Sequence, residues 1–374
     1  MSTPSIALIP SGYKSGKLYS QLPVNGDGDL TFTRVGNATR VNENGLIEEM
    51  ATGVPRLDYS DGGCPSLLVE PSSTNLAEYS EDMSNAVWAK TNATITTNST
   101  LAPDGTLTAD TLTATSNGGQ IQQLYSGSSA TEYTVSFWIK RKTGSGVVNI
   151  RSVENANIPI TITDEWTRVS LTTTSTSTFI RVGINLATSG DEVYIWGSQL
   201  EQVVYATSYI PNLTTGGSSR DVEQISKSGL SDYINSREGV LYLELKNAYA
   251  EATNRGITLQ GASNNGSDLV GFRFNVSNGL NTYIRANGST IVNGNVATTE
   301  TDYIKVAVKY KSGGNALWVN GVEVFTDNST FTFNEDLSVL RSGDGLGGNG
   351  LAKYKDIRVY KTALTDTELQ TLTS

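Results

Sequence analysis

The 374-residue chain contains no histidine. That absence removes the base of Ser-His-Asp and Cys-His hydrolases and the commonest ligand of zinc. There is one cysteine, Cys64, in the turn-like stretch DGGCPS, so an intramolecular disulfide framework is excluded. A lone thiol with no histidine to activate it reads as a turn residue, not a nucleophile. Charge is scarce: only 17% of residues are charged, and 27 basic against 37 acidic residues give a formal net charge of −10. No long run of either sign occurs. Phosphate backbones call for clustered Lys and Arg, so nucleic acid is not an expected partner. No stretch approaches the roughly 18 apolar residues of a membrane span, so membrane insertion is not expected. The opening MSTPSIALIPSGYKSGKLY has too short an apolar run and no basic leader for a signal peptide. The expectation is a product made in a cytoplasm and released by lysis. What survives as enzymology is carboxylate chemistry, such as glycoside hydrolysis by two Asp or Glu, and no motif nominates a pair. The sequence therefore reads as non-enzymatic.

What is present is Thr, Ser, Asn and Gly in place of charge, the composition of many short strands joined by tight turns. The 17 Tyr, 8 Phe and 5 Trp argue for ordered cores rather than a disordered chain. The length calls for two or three domains. Residues 1–75 are irregular, rich in Gly and Pro, and expected to pack on a neighbour. Within them, Asn25-Gly-Asp-Gly-Asp29 lacks the spacing and closing Glu of a calcium loop and reads as a polar turn. No cofactor is expected, and a bound calcium is not indicated.

Residues 76–212 read as a β-sandwich. YTVSFWIK (133–140), WTRVSL (166–171), FIRVGINL (179–186) and VYIW (193–196) alternate with period two between turn-forming clusters. Residues 213–235 read as a linker. Residues 236–374 read as a second sandwich, with strands at GVLYLELK, GFRFNV, YIKVAVKY and NALWV and a hairpin signal at Asn320-Gly321. A short helix closes the chain, capped at Thr365 or Asp366. The fold class is all-β: an irregular N-terminal region followed by two β-sandwich (jelly-roll) domains.

Alternation sorts faces in the middle domain. Tyr133, Val135, Phe137 and Ile139 form a core side, as do Ile180, Val182, Ile184 and Leu186, and Val193 with Ile195. The opposite side then holds Trp138, Arg181, Asn185, Tyr194 and Trp196. Aromatic rings stack on the C–H faces of a pyranose while Arg and Asn bond its hydroxyls, so these five are the candidate carbohydrate-binding residues. The set presupposes that their strands share one sheet. The competing reading is that the aromatics are covered by other protein. In the last domain, Asp268, Asn275 and Asp344 lie in or near polar turns, and SGDGLGGNGL (342–351) is a Gly-rich loop. Trp318 reads as packing.

The run from Leu30 to Trp88 has the order FTR…ATRVN…VPR.DY…LLVEP…TNL..YSEDMSN..W. It resembles a segment of tailed-bacteriophage virion proteins: tail fibres, tailspikes and head fibres. The order PDGT.TAD.LT, YTVSFWIKRKTG, DEWTRVSLT, VYIWGSQLEQ resembles carbohydrate-binding modules of the jelly-roll type. The series YIKVAVKY…NALWVNGVEV…DIRVYKTALTDTELQ resembles concanavalin-A-like and laminin-G-like sandwiches. These resemblances imply a protein on the virion exterior, of tail or head. Residues 1–75 would attach it to other virion proteins, and its sandwiches would meet a host cell-surface glycan. They also imply a homo-oligomer, commonly a trimer, whose copies multiply weak single-site binding. A capsid decoration or head-fibre protein is the alternative. A carboxylate-based glycoside hydrolase is less favoured, as is a free-standing bacterial lectin.

Overall fold

The computed structural model describes residues 2–151, 153–247, 255–275, 279–298, 302–343 and 352–374. The protein is all-β, with one α-helix, Asp366–Thr373, among the described residues. The chain folds as two compact units. One comprises Ala38–Glu49 and Ser72–Arg220, and is inserted in the sequence of the other, which comprises Met1–Asn37, Met50–Pro71 and Asp221–Ser374.

The inserted unit is a sandwich of two five-stranded antiparallel sheets. The first runs Ala89–Thr91, Gly119–Ser126, Phe179–Leu186, Val148–Arg151, Asn157–Ile160. The second runs Ala93–Thr100, Ala109–Ala114, Glu192–Glu201, Glu132–Thr143, Thr167–Thr174. β-branched and aromatic residues alternate along these strands, so each sheet has one apolar face, and the two faces close on each other. Tyr133, Val135, Phe137 and Ile139 meet Ile180, Val182, Ile184, Leu186, Val193 and Ile195 there, as alternation required. Ala77, Met83 and Trp88, from the end of the Leu30–Trp88 run, belong to the same core.

The other unit pairs an eight-stranded with a nine-stranded sheet. Here the structure corrects the expected boundaries. The stretch 1–75 is not a region apart. Ile6–Leu8, Arg56–Asp58 and Ser66–Val69 lie in the eight-stranded sheet with Glu238–Lys246 and Ala352–Tyr360. Leu30–Thr33 pairs with Gln224–Lys227 in the nine-stranded sheet. Ile6, Leu8, Leu30, Phe32, Leu57, Leu67 and Val69 are buried in one core with residues of the last third of the chain. The expected linker 213–235 likewise holds the strands Ser218–Arg220 and Gln224–Lys227 and the buried Leu230 and Ile234. Strands of two to four residues show too few alternations to be read as strands, which is why these segments looked irregular.

The Leu30–Trp88 run also owes its pattern to charge. Arg34 of FTR, Arg56 of VPR and Glu70 of LLVEP converge with Glu223, all four without solvent contact at their side chains. Arg34 bonds Glu223 at 2.7 Å; Arg56 Nη2 bonds both Glu70, at 2.8 Å, and Glu223, and Arg56 Nε also donates to Glu223 at 2.8 Å. Arg34 further donates to the Met50 and Ala51 carbonyls. Burial opposes the charge on Arg56, but Glu223 and Glu70 outweigh it and raise its pKa.

Asn320 and Gly321 both take positive φ, 47° and 80°, so the hairpin turns as its sequence requires. The C-terminal helix has a complete Thr365–Glu368 capping box and sets Leu369 and Leu372 against Val240, Tyr242, Trp318 and Tyr360. Trp318 is thus a packing residue. Asn25-Gly-Asp-Gly-Asp29 is a polar turn in which Asn25 bonds Asp27 and Asp29 bonds Ser20 and Lys17.

Candidate functional site

The five candidate residues do not share a sheet. Trp138 lies on Glu132–Thr143, and Tyr194 and Trp196 on Glu192–Glu201, in one sheet of the inserted unit. Arg181 and Asn185 lie on Phe179–Leu186 in the other. Outward faces of opposed sheets point away from each other, so the five cannot meet one ligand.

The outward face with the tryptophans is already covered. Trp196 is 1% exposed and packs with Ala102, Ala109 and Tyr209, with Trp138 and Trp166 alongside. Its ring lies 4.6 Å from that of Tyr209, and its N–H donates to Thr108 Oγ1 at 3.1 Å. Trp166 donates to the Leu101 carbonyl, and Arg168 to the Thr207 carbonyl. The loops around 101–108 and 207–209 therefore seal this face from within the same unit. Gly197, at φ 62°, permits the closure: a Cβ there would stand 3.1 Å from the Trp138 ring and 3.3 Å from that of Tyr209. Tyr194 is half-buried, with the ammonium groups of Lys140 and Lys142 over its ring at 5.3 and 5.6 Å.

The outward face of the other sheet is different. Three strands lie in register across it. Gln120 is opposite Asn185, which is opposite Asn149; Gln122 is opposite Gly183; Leu124 is opposite Arg181. Leu124 and Phe179, 55% and 59% exposed, leave an apolar end, and the amides and arginines make the remainder. Gly183 leaves a gap in the middle row, and Arg151 reaches across it to donate to Gln120, and also to Asn155. Asn149 Nδ2 donates to Asn185 Oδ1 at 3.0 Å. Two buried polar atoms on this face have no partner: Gln122 Oε1 and Arg151 Nε. Buried polar atoms are normally bonded, and the tryptophan face has two unpartnered ones as well, Trp138 Nε1 and Arg168 Nε. An open cleft of about 510 Å³ runs beside this face, lined by Val87, Ala89, Gln122 and Leu124 among others.

Gln120, Gln122, Asn149 and Arg151 escaped the sequence reading. GQIQQLYS does carry a signal, since Gln120 and Gln122 alternate with Ile121 and Gln123, and Gly183 inside a strand marks a close approach. Val148–Arg151 is too short to show its faces.

A second cleft, of about 500 Å³, is lined by Tyr79, Glu81, Asp82, Asn98 and Asp110 among others. Burial pushes the Asp110 carboxyl up to about 6, against the pull of hydrogen bonds from the Asn98 and Met83 amides. Burial also raises Glu81, which accepts from Tyr209 at 2.9 Å. Among the described residues no group of three or more Asp, Glu, Cys or His could hold a metal ion.

In the other unit, Asp268 accepts from the Asn287 and Glu335 amides, and Asn275 donates to Asn295 on the strand Ser289–Val296. Asp344 and nearly all of the 342–351 loop lie outside the described residues.

No protein-family model and no curated protein matches the sequence. Among solved structures, the CBM40 of Ruminococcus gnavus IT-sialidase is similar at 17% identity, over 37% of this chain and 84% of that one, with a TM-score of 0.31. Domain 4 of AbnA, a GH43 extracellular arabinanase from Geobacillus stearothermophilus, in complex with arabinotriose, is similar at 14%, over 46% and 82%, with a TM-score of 0.33. The binding domain of botulinum neurotoxin DC, in complex with rat synaptotagmin II, is similar at 14%, over 41% and 40%, also at 0.33. Likeness at this level carries no argument about binding. The all-β class rests on the sheets themselves.

Proposed function

We propose that this protein is a non-enzymatic adhesin for cell-surface glycans, carried on the exterior of a tailed-phage particle. The observation that carries the glycan reading is the outward face of the sheet containing Gly119–Ser126 and Phe179–Leu186. It sets exposed Leu124 and Phe179 beside Gln122, Arg181, Gln120 and Asn185. Apolar groups facing the C–H side of a sugar ring, next to directional donors and acceptors, are what a polyhydroxylated ring needs. The virion reading is supported by the order of motifs from Leu30 to Trp88. Their arginines and Glu70 turn out to build the core of the unit formed by both ends of the chain. Attachment to other virion proteins and assembly as a trimer belong to the same reading.

Immunogold microscopy of purified virions, with antibody to the last third of the chain, tests the location. Label at tail tip or fibres is the expected result. Label over the head would make it a decoration or head-fibre protein, and no label would remove the virion reading. A glycoside hydrolase is the second reading, favoured by the cleft holding Glu81, Asp82 and Asp110. Both Asp110 oxygens are occupied by backbone amides, which fits a structural carboxylate better than a proton donor. Release of reducing sugar from host polysaccharide would reverse that judgement.

A further inference from the structure

We infer that the saccharide recognised by the Leu124–Phe179–Arg181 face is acidic, a polymer whose rings bear carboxylates. The inference rests on the glycan reading and names its ligand class.

Arg151 and Arg181 stand on adjacent strands and point from the same face. Arg151 follows Ile150, which is opposite Ile184, and the Arg181 amide bonds the Val153 carbonyl. Several arginines of the chain are ion-paired: Arg34 and Arg56 with Glu223, Arg141 with Asp191, Arg358 with Asp356. These two are not, among the described residues. The Arg151 guanidinium donates to the neutral amides of Gln120 and Asn155, and its Nε has no partner. Among the described residues the Arg181 guanidinium has neither an ion pair nor a hydrogen-bond acceptor. Glu154 feels the field of Arg181, but its carboxylate is committed to the Thr176 amide and hydroxyl, which hold it below the usual range. Burial, and then the charge of Arg181, lower the pKa of Arg151.

Two guanidinium groups on one face, neither in an ion pair among the described residues, repel each other in the free protein. A bound carboxylate offsets that repulsion and supplies charge-assisted acceptors. Arg181, half-buried, is the group a ligand reaches first, and Arg151, 5% exposed, adds its charge from just beneath. Phe179 and Arg181 are two residues apart on one strand, about 7 Å. One sugar ring can lie on Phe179 and Leu124 while its carboxylate meets Arg181 and its hydroxyls meet Gln122.

The test uses the full chain and affinity electrophoresis in gels containing polygalacturonate, hyaluronate or polysialate, each beside its carboxyl methyl ester. Neutral dextran, mannan and galactan form a second panel. The expected result is retardation by at least one acid polymer, on the order of tenfold or more weaker with its ester, in Arg181→Gln, and in high salt. Arg181→Lys should keep part of the binding, and the melting temperature of Arg181→Gln should match that of the parent. Equal retardation by acid and ester, or retardation by the neutral panel alone, would overturn the acidic inference and leave the glycan reading standing. Retardation by neither panel would overturn both.

Discussion

Trp196 and Phe179 are both large aromatics on outward positions of strands, yet one is sealed and the other open. Replacing Trp196 with Ala removes buried packing, and a loss of about 3–5 kcal/mol is expected in urea unfolding, with saccharide binding kept while the protein stays folded. Phe179→Ala should do the reverse, weakening binding at unchanged stability. Alternation shows only that a side chain points away from the core. It cannot show that Ala102 and Tyr209 return to cover Trp196, because that cover is built from loops outside the strand itself. Asp110 gives a pH signature. Burial raises its folded pKa to about 6, above the ordinary carboxylate value, so the folded state holds this proton more tightly than the unfolded one. Its contribution is fully present below the unfolded value, near pH 4, and is lost as pH rises through about 6, by at most about 3 kcal/mol. Melting temperature measured from pH 4 to 7 should fall over that window, and Asp110→Asn should flatten the slope.

Among elements, the strands from Leu30 to Val69 are held less by their own length than by what their ends carry. Glu223 accepts from both Arg34 and Arg56, so Glu223→Ala leaves two buried guanidinium groups short of a partner. A loss of about 3–5 kcal/mol is expected by chemical denaturation. The C-terminal helix answers to a smaller device: Thr365→Ala breaks the capping box with Glu368 and should cost about 1 kcal/mol. The long strands were legible because eight or more residues of alternation leave one choice of faces, as in Phe179–Leu186. Pairing between strands was not legible. Nothing in FIRVGINL or VYIWGSQ says that the two strands lie in opposite sheets, so alternation alone groups Arg181 and Asn185 with Trp138, Tyr194 and Trp196.

At the scale of the whole molecule, the all-β class and both sandwiches followed from composition and alternation. The chain path did not, because the N-terminal strands find partners some 200 to 350 residues away, such as Phe32 with Ile225 and Ile6 with Val359. Each unit has its own core, so scanning calorimetry should resolve two transitions, with Glu223→Ala lowering one and Trp196→Ala the other. Adhesion through the open face of the inserted sandwich is the central claim. Its most direct measurement is the affinity of the full chain for polysaccharide isolated from the host surface, compared with Phe179→Asp and Trp138→Ala, with melting recorded for each. The account predicts that Phe179→Asp loses binding on the order of tenfold or more at unchanged melting, while Trp138→Ala lowers melting and leaves the affinity of the folded protein intact. Undiminished binding by Phe179→Asp, or selective loss in Trp138→Ala, would contradict it.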